Sequence, residues 1–391
     1  MTGPQISLLT AGRDRPYALG LATALAAAGI SFDFIGSDEV DGPGLHGDPK
    51  INFLNLRGDQ RTDAGLIKKM SRVLLYYFRL LGYAATAKPK TFHILWNNKF
   101  ETFDRTALML YYKLLGKKIV FTAHNVNAAE RDLNDSWLNR RTLRFQYQRC
   151  DHIFVHTEKM KDELVSGFGI LADKVSVIPF GINNTVPDSG MTILAARKKL
   201  GLNVRDRVLL FFGNIAAYKG LEFLIDAFET GARSDEHLRL VVAGRPKGAE
   251  EYWRGLREKI ERSAVRDRMI LKIEYVPDAE TEIYFKAADV LVLPYTHVFQ
   301  SGVLFLGYSF GLPALVADVG SLKEEIIVGK TGFVFESKNV AELARAIKNY
   351  FADVLYRELD SRRKAIQDFA NDRYSWAKVA AITKAVYAKK S

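Results

Sequence analysis

Two successive series of short β-branched or aromatic runs, with a longer amphipathic stretch after most of them, constrain this chain more than any other feature. Such alternation is the pattern of parallel strands covered by helices on both faces. In the first series, strands are read at "QISLLTA", "SFDFIGS", "TFHILWN", "KIVFTAHN", "HIFVHT" and "KVSVIPFG". Stretches such as "PYALGLATALAAAG" and "RTALMLYYKLLG" lie between them, each closed by a glycine suited to a helix C-terminus. The pattern breaks at residues 179–192, "PFGINNTVPDSGMT", and resumes with "RVLLFFGN", "LRLVVAG", "MILKIEYV", "DVLVLPY", "PALVADVG" and "GFVF". At 391 residues the chain is too long for one ordinary core. The reading is therefore α/β, with two doubly wound Rossmann-like domains at 1–181 and 182–374 and a closing helix at 375–391 that packs back on the first. Ligands of such sheets sit beyond the carboxyl ends of the strands, so a cleft between two facing domains is the expected site.

The formal net charge of +11 suggests an anionic neighbour, whether a phosphate-bearing substrate, nucleic acid or an anionic lipid surface. Most of the excess is concentrated in residues 51–118, which hold 13 Lys and Arg against 4 Asp and Glu. Within residues 64–90, "LIKKMSRVLLYYFRLLGYAATAKPK" sets Lys68, Lys69, Arg72 and Arg79 beside a wide apolar, tyrosine-rich remainder. Two readings stand: an interfacial helix on an anionic bilayer, or a core helix with one wet face. No aromatic-basic motif or clear helix-turn-helix marks nucleic acid as the partner. Cys150 is the only cysteine, which excludes an internal disulfide and a cysteine-based zinc cluster and fits a reducing compartment. The start lacks the basic and apolar regions of a secretion signal, and the longest apolar run is broken by Arg79, so a cytoplasmic location is expected, with peripheral membrane contact left open.

Gly307-Tyr308-Ser309-Phe310-Gly311 matches the G-x-S-x-G pattern of a hydrolase nucleophile. That chemistry needs a histidine downstream of the serine, and all seven histidines precede Ser309. A better account begins at Gln300-Ser301-Gly302, where a strand ends at Pro294 and "VLFLGYSFG" forms a short helix closed by Gly311. The backbone N–H groups from Ser301 to Val303 and the helix dipole make a cradle for an anion such as phosphate. "FFGNIAAYKGLEFLIDAF" supplies a second phosphate feature, with Lys219 projecting to the same strand-end rim as the Gln300 loop. A solvated lysine and a plain glycine turn are the competing readings.

The run "GNIAAYKGLEFLIDAF", then "LVVAGR", "YVPDAETEIYFKAADVLVLPY" and "GLPALVADVGSLKEEIIVGKTGFVF", resembles in order and spacing the nucleotide-binding half of the family 4 glycosyltransferases, retaining enzymes of the GT-B fold that use sugar nucleotides. "FTAHNVN", "FVHTEKMKDEL" and "VSVIPFGINN" resemble that family's first half. Two departures stand out: the usual E-x7-E positions hold Val298 and Leu306, and Asn214 occupies a place that is arginine in many members. The "QSG" loop and "YKG" motif resemble a bacterial exopolysaccharide-type subset.

The resemblance implies transfer of a sugar from a nucleotide-sugar donor to a glycan or polyprenyl-linked acceptor. His124, Lys219 and Gln300 carry the chemistry, with His124 donating a hydrogen bond to the donor sugar. Gly12, Gly213, Asn214, Arg245, Tyr275, Ser301, Gly302, Val303 and Glu324 join Lys219 and Gln300 around the donor, and Arg13 and Arg15 face the acceptor. Negative charge develops on the leaving diphosphate, and fixed cations and N–H groups aimed at it lower the barrier. No D-x-D pair is present, so the expectation is transfer without a metal and without any other cofactor. A non-catalytic GT-B scaffold is the competing class.

Overall fold

The computed structural model describes residues 5–60, 65–131, 134–182, 186–246 and 248–390. Residues 183–185 of the expected linker and residue 64 of the basic segment lie outside that set. The chain forms two compact units, residues 1–181 with 374–391 and residues 182–373.

Among the described residues of the first unit, seven parallel strands run in the order β3-β2-β1-β4-β5-β6-β7: β1 (Ile6–Leu9), β2 (Phe32–Gly36), β3 (Ile51–Asn55), β4 (Thr91–Ile94), β5 (Lys118–Thr122), β6 (His152–Val155) and β7 (Val175–Val177). The sheet buries Leu8, Phe32, Phe34, Val120 and Phe154 against Tyr17, Leu21 and Leu25 of helix Arg15–Ala27. The C-terminal helix Trp376–Lys390 belongs to this unit and adds Val379, Val386 and Tyr387 to the same core. Its Trp376 ring lies so close to Gly20 and Gly181 that a Cβ on either would collide with the indole. Glycine at both positions is thus a packing requirement.

The strand β3 is absent from the sequence reading. It pairs only with β2 at the sheet edge, and only Ile51 of its five residues is fully buried, so it lacks the continuous apolar run that marks its neighbours. The second unit holds six parallel strands among its described residues, each at a run picked out from sequence: β8 (Arg207–Phe212), β9 (Leu238–Ala243), β10 (Met269–Lys272), β11 (Val290–Leu293), β12 (Ala314–Ala317) and β13 (Gly332–Phe335), in the order β10-β9-β8-β11-β12-β13. Leu209, Phe211, Leu240, Val242, Val290, Val292 and Leu315 form its core with Leu224, Phe228, Leu343 and Ile347 from the covering helices.

Each sheet reverses its direction of winding once, between β1 and β4 in the first unit and between β8 and β11 in the second. Loops leaving the two strands at such a switch point diverge to opposite faces, and the crevice between them is where ligands of open α/β sheets bind. Among the described residues, no helix is long and apolar enough to cross a membrane.

Candidate active site

At the switch point of the second unit, β8 ends at Phe212 and is followed by Gly213, whose φ of 95° is a left-handed value. Gly213 and Gly244 stand back to back where β8 and β9 end, and a Cβ on Gly244 would collide with the Gly213 carbonyl. The chain then turns through Ala217–Lys219 into helix Leu221–Ala232. This loop is locked to the one after β11: the Thr296 N–H donates to the Tyr218 carbonyl at 2.8 Å, and a Cβ on Gly220 would collide with the Pro294 carbonyl.

The locked loops draw Lys219 inward. Its side chain is buried, with Nζ 5.6 Å from the Tyr295 ring centroid. Nζ and the Val303 Cγ2 atom lie 3.1 and 3.4 Å from the point where a Gly213 Cβ would stand. The Tyr295 hydroxyl is 3.2 Å from Ser301 Oγ, and buried Ser301 is the N-cap of helix Gly302–Ser309. Lys219, Gly213, Ser301 and Val303 therefore surround one small volume at the helix N-terminus, where a positive side chain and the positive end of the dipole act together on an anion. Gly302 opens that helix at its exposed end.

Gln300, one residue earlier, donates from Nε2 to Glu325 Oε1 at 3.0 Å, while its Oε1 is buried without a protein partner. Glu325 is buried, 3.6 Å from Arg373, and follows the turn after β12. Glu324 is exposed, and its neighbour Glu325 is the carboxylate that reaches the Gln300 loop. The sequence offers only the pair Glu324-Glu325, and the turn Leu322–Glu325 decides which of them points inward. Asn214 and Arg245 are exposed on the rim, and the Arg245 guanidinium lies 5.3 Å from the centroid of exposed Tyr275. Val298 and Leu306 are both buried. Ser309 closes helix Gly302–Ser309 and its hydroxyl donates to the Leu306 carbonyl at 2.8 Å, so it stands at a helix end and not on a strand-to-helix elbow.

In the first unit the ends of β4 to β7 and the first turn of helix Arg15–Ala27 gather an aromatic cluster. Trp96 stacks on His124 with centroids 4.4 Å apart, and Tyr17 meets the same imidazole edge-on at 4.5 Å. His156 Nδ1 lies 3.3 Å from the Ile178 carbonyl and His156 Nε2 lies 3.0 Å from His124 Nδ1. Burial pushes the His156 pKa down to about 4, and burial together with His156 and His93 holds His124 well below its ordinary value, so both rings are neutral. A carbonyl only accepts, so the His156 proton sits on Nδ1; its bare Nε2 then accepts from His124 Nδ1–H. The remaining nitrogen, His124 Nε2, carries a lone pair and is buried without a protein partner. In this tautomer the remaining nitrogen can accept a hydrogen bond but not donate one.

Beside it, the loop after β1 holds Ala11 and Asp14 at φ of 51° and 45°, backbone strain of the kind that clusters at functional sites, with Gly12 between them at 65°. The Gly12 carbonyl accepts from Gln60 Nε2 at 2.8 Å, which ties the loop down. Arg13 donates to the Asn98 carbonyl at 3.3 Å, and Arg13 and Arg15 are both exposed. His156, Trp96 and Tyr17 escaped the sequence reading because, as strand-end or helix aromatics, they look like core residues until the strands are ordered.

Residues 16–186 match the model described as Glycosyltransferase Family 4, and residues 206–353 match that of Glycosyl transferases group 1. The fold is also found in sucrose-phosphate synthase from Thermosynechococcus elongatus, with a TM-score of 0.77, 18% identity and 99% of both chains covered. Anabaena Alr3699/HepE in complex with UDP and glucose matches with a TM-score of 0.74 at 16% identity, over 98% of this chain and 99% of that one. Two Rossmann-like units with these neighbours define a chain of the GT-B class. More narrowly, its first half resembles the family 4 glycosyltransferases and its second half the group 1 glycosyl transferases.

Among relatives, D-inositol 3-phosphate glycosyltransferase of Streptomyces bingchenggensis is 30% identical over 252 residues, 61% of this chain and 53% of that one. The Pseudarthrobacter chlorophenolicus protein of the same description is 28% identical over 233 residues, 59% of this chain and 54% of that one. The chain thus spans about half the length of these relatives.

Proposed function

We propose that this protein transfers a sugar, with retention and without a metal, from a nucleotide-sugar donor to a glycan or lipid-linked acceptor in polysaccharide or glycolipid synthesis. The observation that carries the reading is the convergence of buried Lys219 with Gly213, Ser301 and Val303 at a helix N-terminus on the second sheet's switch point. A diphosphate seated there is neutralised by the ammonium and by the N–H groups of residues 301–303. As the glycosidic bond to the leaving phosphate lengthens, the added charge falls on oxygens already facing those donors, which favours the transition state over the ground state. The phosphate oxygen that departs takes the acceptor's proton on the same face of the sugar, so the configuration is kept. Complexes of Anabaena HepE with UDP and with UDP-glucose support a nucleotide donor by analogy.

The acceptor side of the proposal rests on helix Leu66–Thr86. Tyr76, Tyr77 and Leu80 turn to the core, whereas Ile67, Met70, Leu74 and Phe78 are exposed at helical spacing. The exposed stripe is thus apolar, which a core helix with one wet face does not explain. Tyr77 also packs against half-exposed Phe100 and Phe103, which extend the apolar surface, and Lys68, Arg72 and Arg79 flank the stripe. An apolar stripe edged by cations suits insertion at the headgroup level of an anionic leaflet, where a lipid-linked acceptor would be presented.

Calorimetric titration with nucleoside diphosphates tests the donor reading. A transferase of this kind binds one of them, and a non-catalytic scaffold need bind none.

A further inference from the structure

Buried polar atoms without partners are rare in folded proteins, and two of them lie on adjoining loops of the second unit: Gln300 Oε1 and Ser321 Oγ. The loops are joined directly. The Ser321 N–H donates to the Phe299 carbonyl at 3.0 Å, and a Cβ on Gly320 would collide with the Val298 carbonyl. The orientation of the Gln300 amide is not free. Its Nε2 faces Glu325 Oε1 at 3.0 Å, and an ionised carboxylate only accepts, so the NH2 end belongs to Glu325 and the carbonyl end is presented elsewhere. Glu325 is held in turn by Arg373 at 3.6 Å, and its backbone carbonyl accepts from the buried Tyr308 hydroxyl at 2.7 Å.

An amide oxygen cannot bond a phosphate oxygen, since both are acceptors. The anion cradle formed by Lys219 and Ser301 is therefore bordered by a group whose partner must carry a proton. A sugar nucleotide offers such groups on both sides of its diphosphate, the hydroxyls of the transferred sugar and those of the ribose, and only the first are missing from the parent diphosphate. Resting on the donor reading above, we infer that Gln300 Oε1 accepts a hydrogen bond from one hydroxyl of the donor sugar and helps select that sugar, and that Glu325 is the positioning residue that turns the amide to do it. Ser321 Oγ supplies a second buried hydroxyl on the adjoining loop. A site built to receive a hydroxyl discriminates against an analogue lacking it, because the buried acceptor is then left unpaired.

The test is calorimetry on the full-length protein with a panel of hexose nucleotides of UDP, GDP and ADP. The tightest is carried forward together with its parent diphosphate and its monodeoxy analogues. In the wild type the sugar nucleotide binds more tightly than the diphosphate, and one deoxy analogue loses about tenfold of that gain. Gln300→Ala removes a similar factor for the parent sugar nucleotide, leaves the diphosphate unchanged, and shows no further loss with that deoxy analogue. Glu325→Leu shrinks the gain by freeing the amide, and Glu325→Gln, which keeps an acceptor for Nε2, restores it at equal melting temperature. Equal weakening of diphosphate and sugar nucleotide by Gln300→Ala, or additive losses with every deoxy analogue, would overturn the inference. Failure of the wild type to bind any diphosphate removes the donor reading itself, and the inference with it.

Discussion

His156 Nε2 lies 3.0 Å from His124 Nδ1, and this bond decides which hydrogen-bonding role His124 can play. The Ile178 carbonyl starts a relay that ends in a bare nitrogen on His124. Nitrogen-15 spectra of the imidazoles should show Nδ1–H tautomers for both residues. Replacing His156 by Ala releases the relay and should lower turnover by roughly tenfold, the worth of one well-placed hydrogen bond. A spectrum with the proton on His124 Nε2 in the wild type would contradict the arrangement.

Lys219 is the cation at the cradle, and its loss removes a charge-assisted contact worth about 1.5–3 kcal/mol. Lys219→Ala should therefore weaken binding of a nucleoside diphosphate by about 10- to 100-fold in calorimetry. Unchanged affinity would place the diphosphate elsewhere.

Three histidines held below their ordinary range make the first unit sensitive to acid. Burial lowers His156 to about 4 and His93 to about 3, and His124 is lowered as well. Each takes up its proton in the unfolded chain near pH 6.5 but resists it when folded. The unfolded state thus binds more protons below that pH, and stability is lost as pH falls from about 6.5 through the folded values. Each histidine contributes up to about 1.4 kcal/mol per pH unit across its own window. Denaturant titrations between pH 7.5 and 4.5 should show the midpoint falling, and His93→Gln should flatten the slope.

Gly244 has a φ of 148° and no room for a Cβ against the Gly213 carbonyl. Because the obstacle is backbone at the end of a central strand pair, Gly244→Ala should cost about 3 kcal/mol and lower the melting temperature. Gly248→Ala is the control: its φ of 71° carries backbone strain, but no atom meets the added Cβ within 4 Å. A smaller loss at Gly244 than at Gly248 would refute the steric account.

The exposed stripe on helix Leu66–Thr86 gives a further test. The protein should co-sediment with anionic vesicles at low salt, and Leu74→Asp with Phe78→Asp should abolish this without changing diphosphate affinity. No sedimentation of the wild type would remove the membrane from the proposal.

Twelve of the strands among the described residues, the two-unit division and the turn into helix Gly302–Ser309 follow from the sequence alone, because burial on both faces of a parallel sheet writes continuous apolar runs between glycine and proline breaks. The strand Ile51–Asn55 left no such run, since an edge strand with mixed exposure needs none. Lys219 and Gln300 were visible as residue types at strand ends; which groups face them was not. That Glu325 and not Glu324 reaches Gln300, and that His156 dictates the proton on His124, depends on loops from different strands arriving side by side. Hydrophobic periodicity is a local property that each segment carries by itself. The direction in which a polar atom points is set by partners distant along the chain, so only the ordered strands of the tertiary structure decide it.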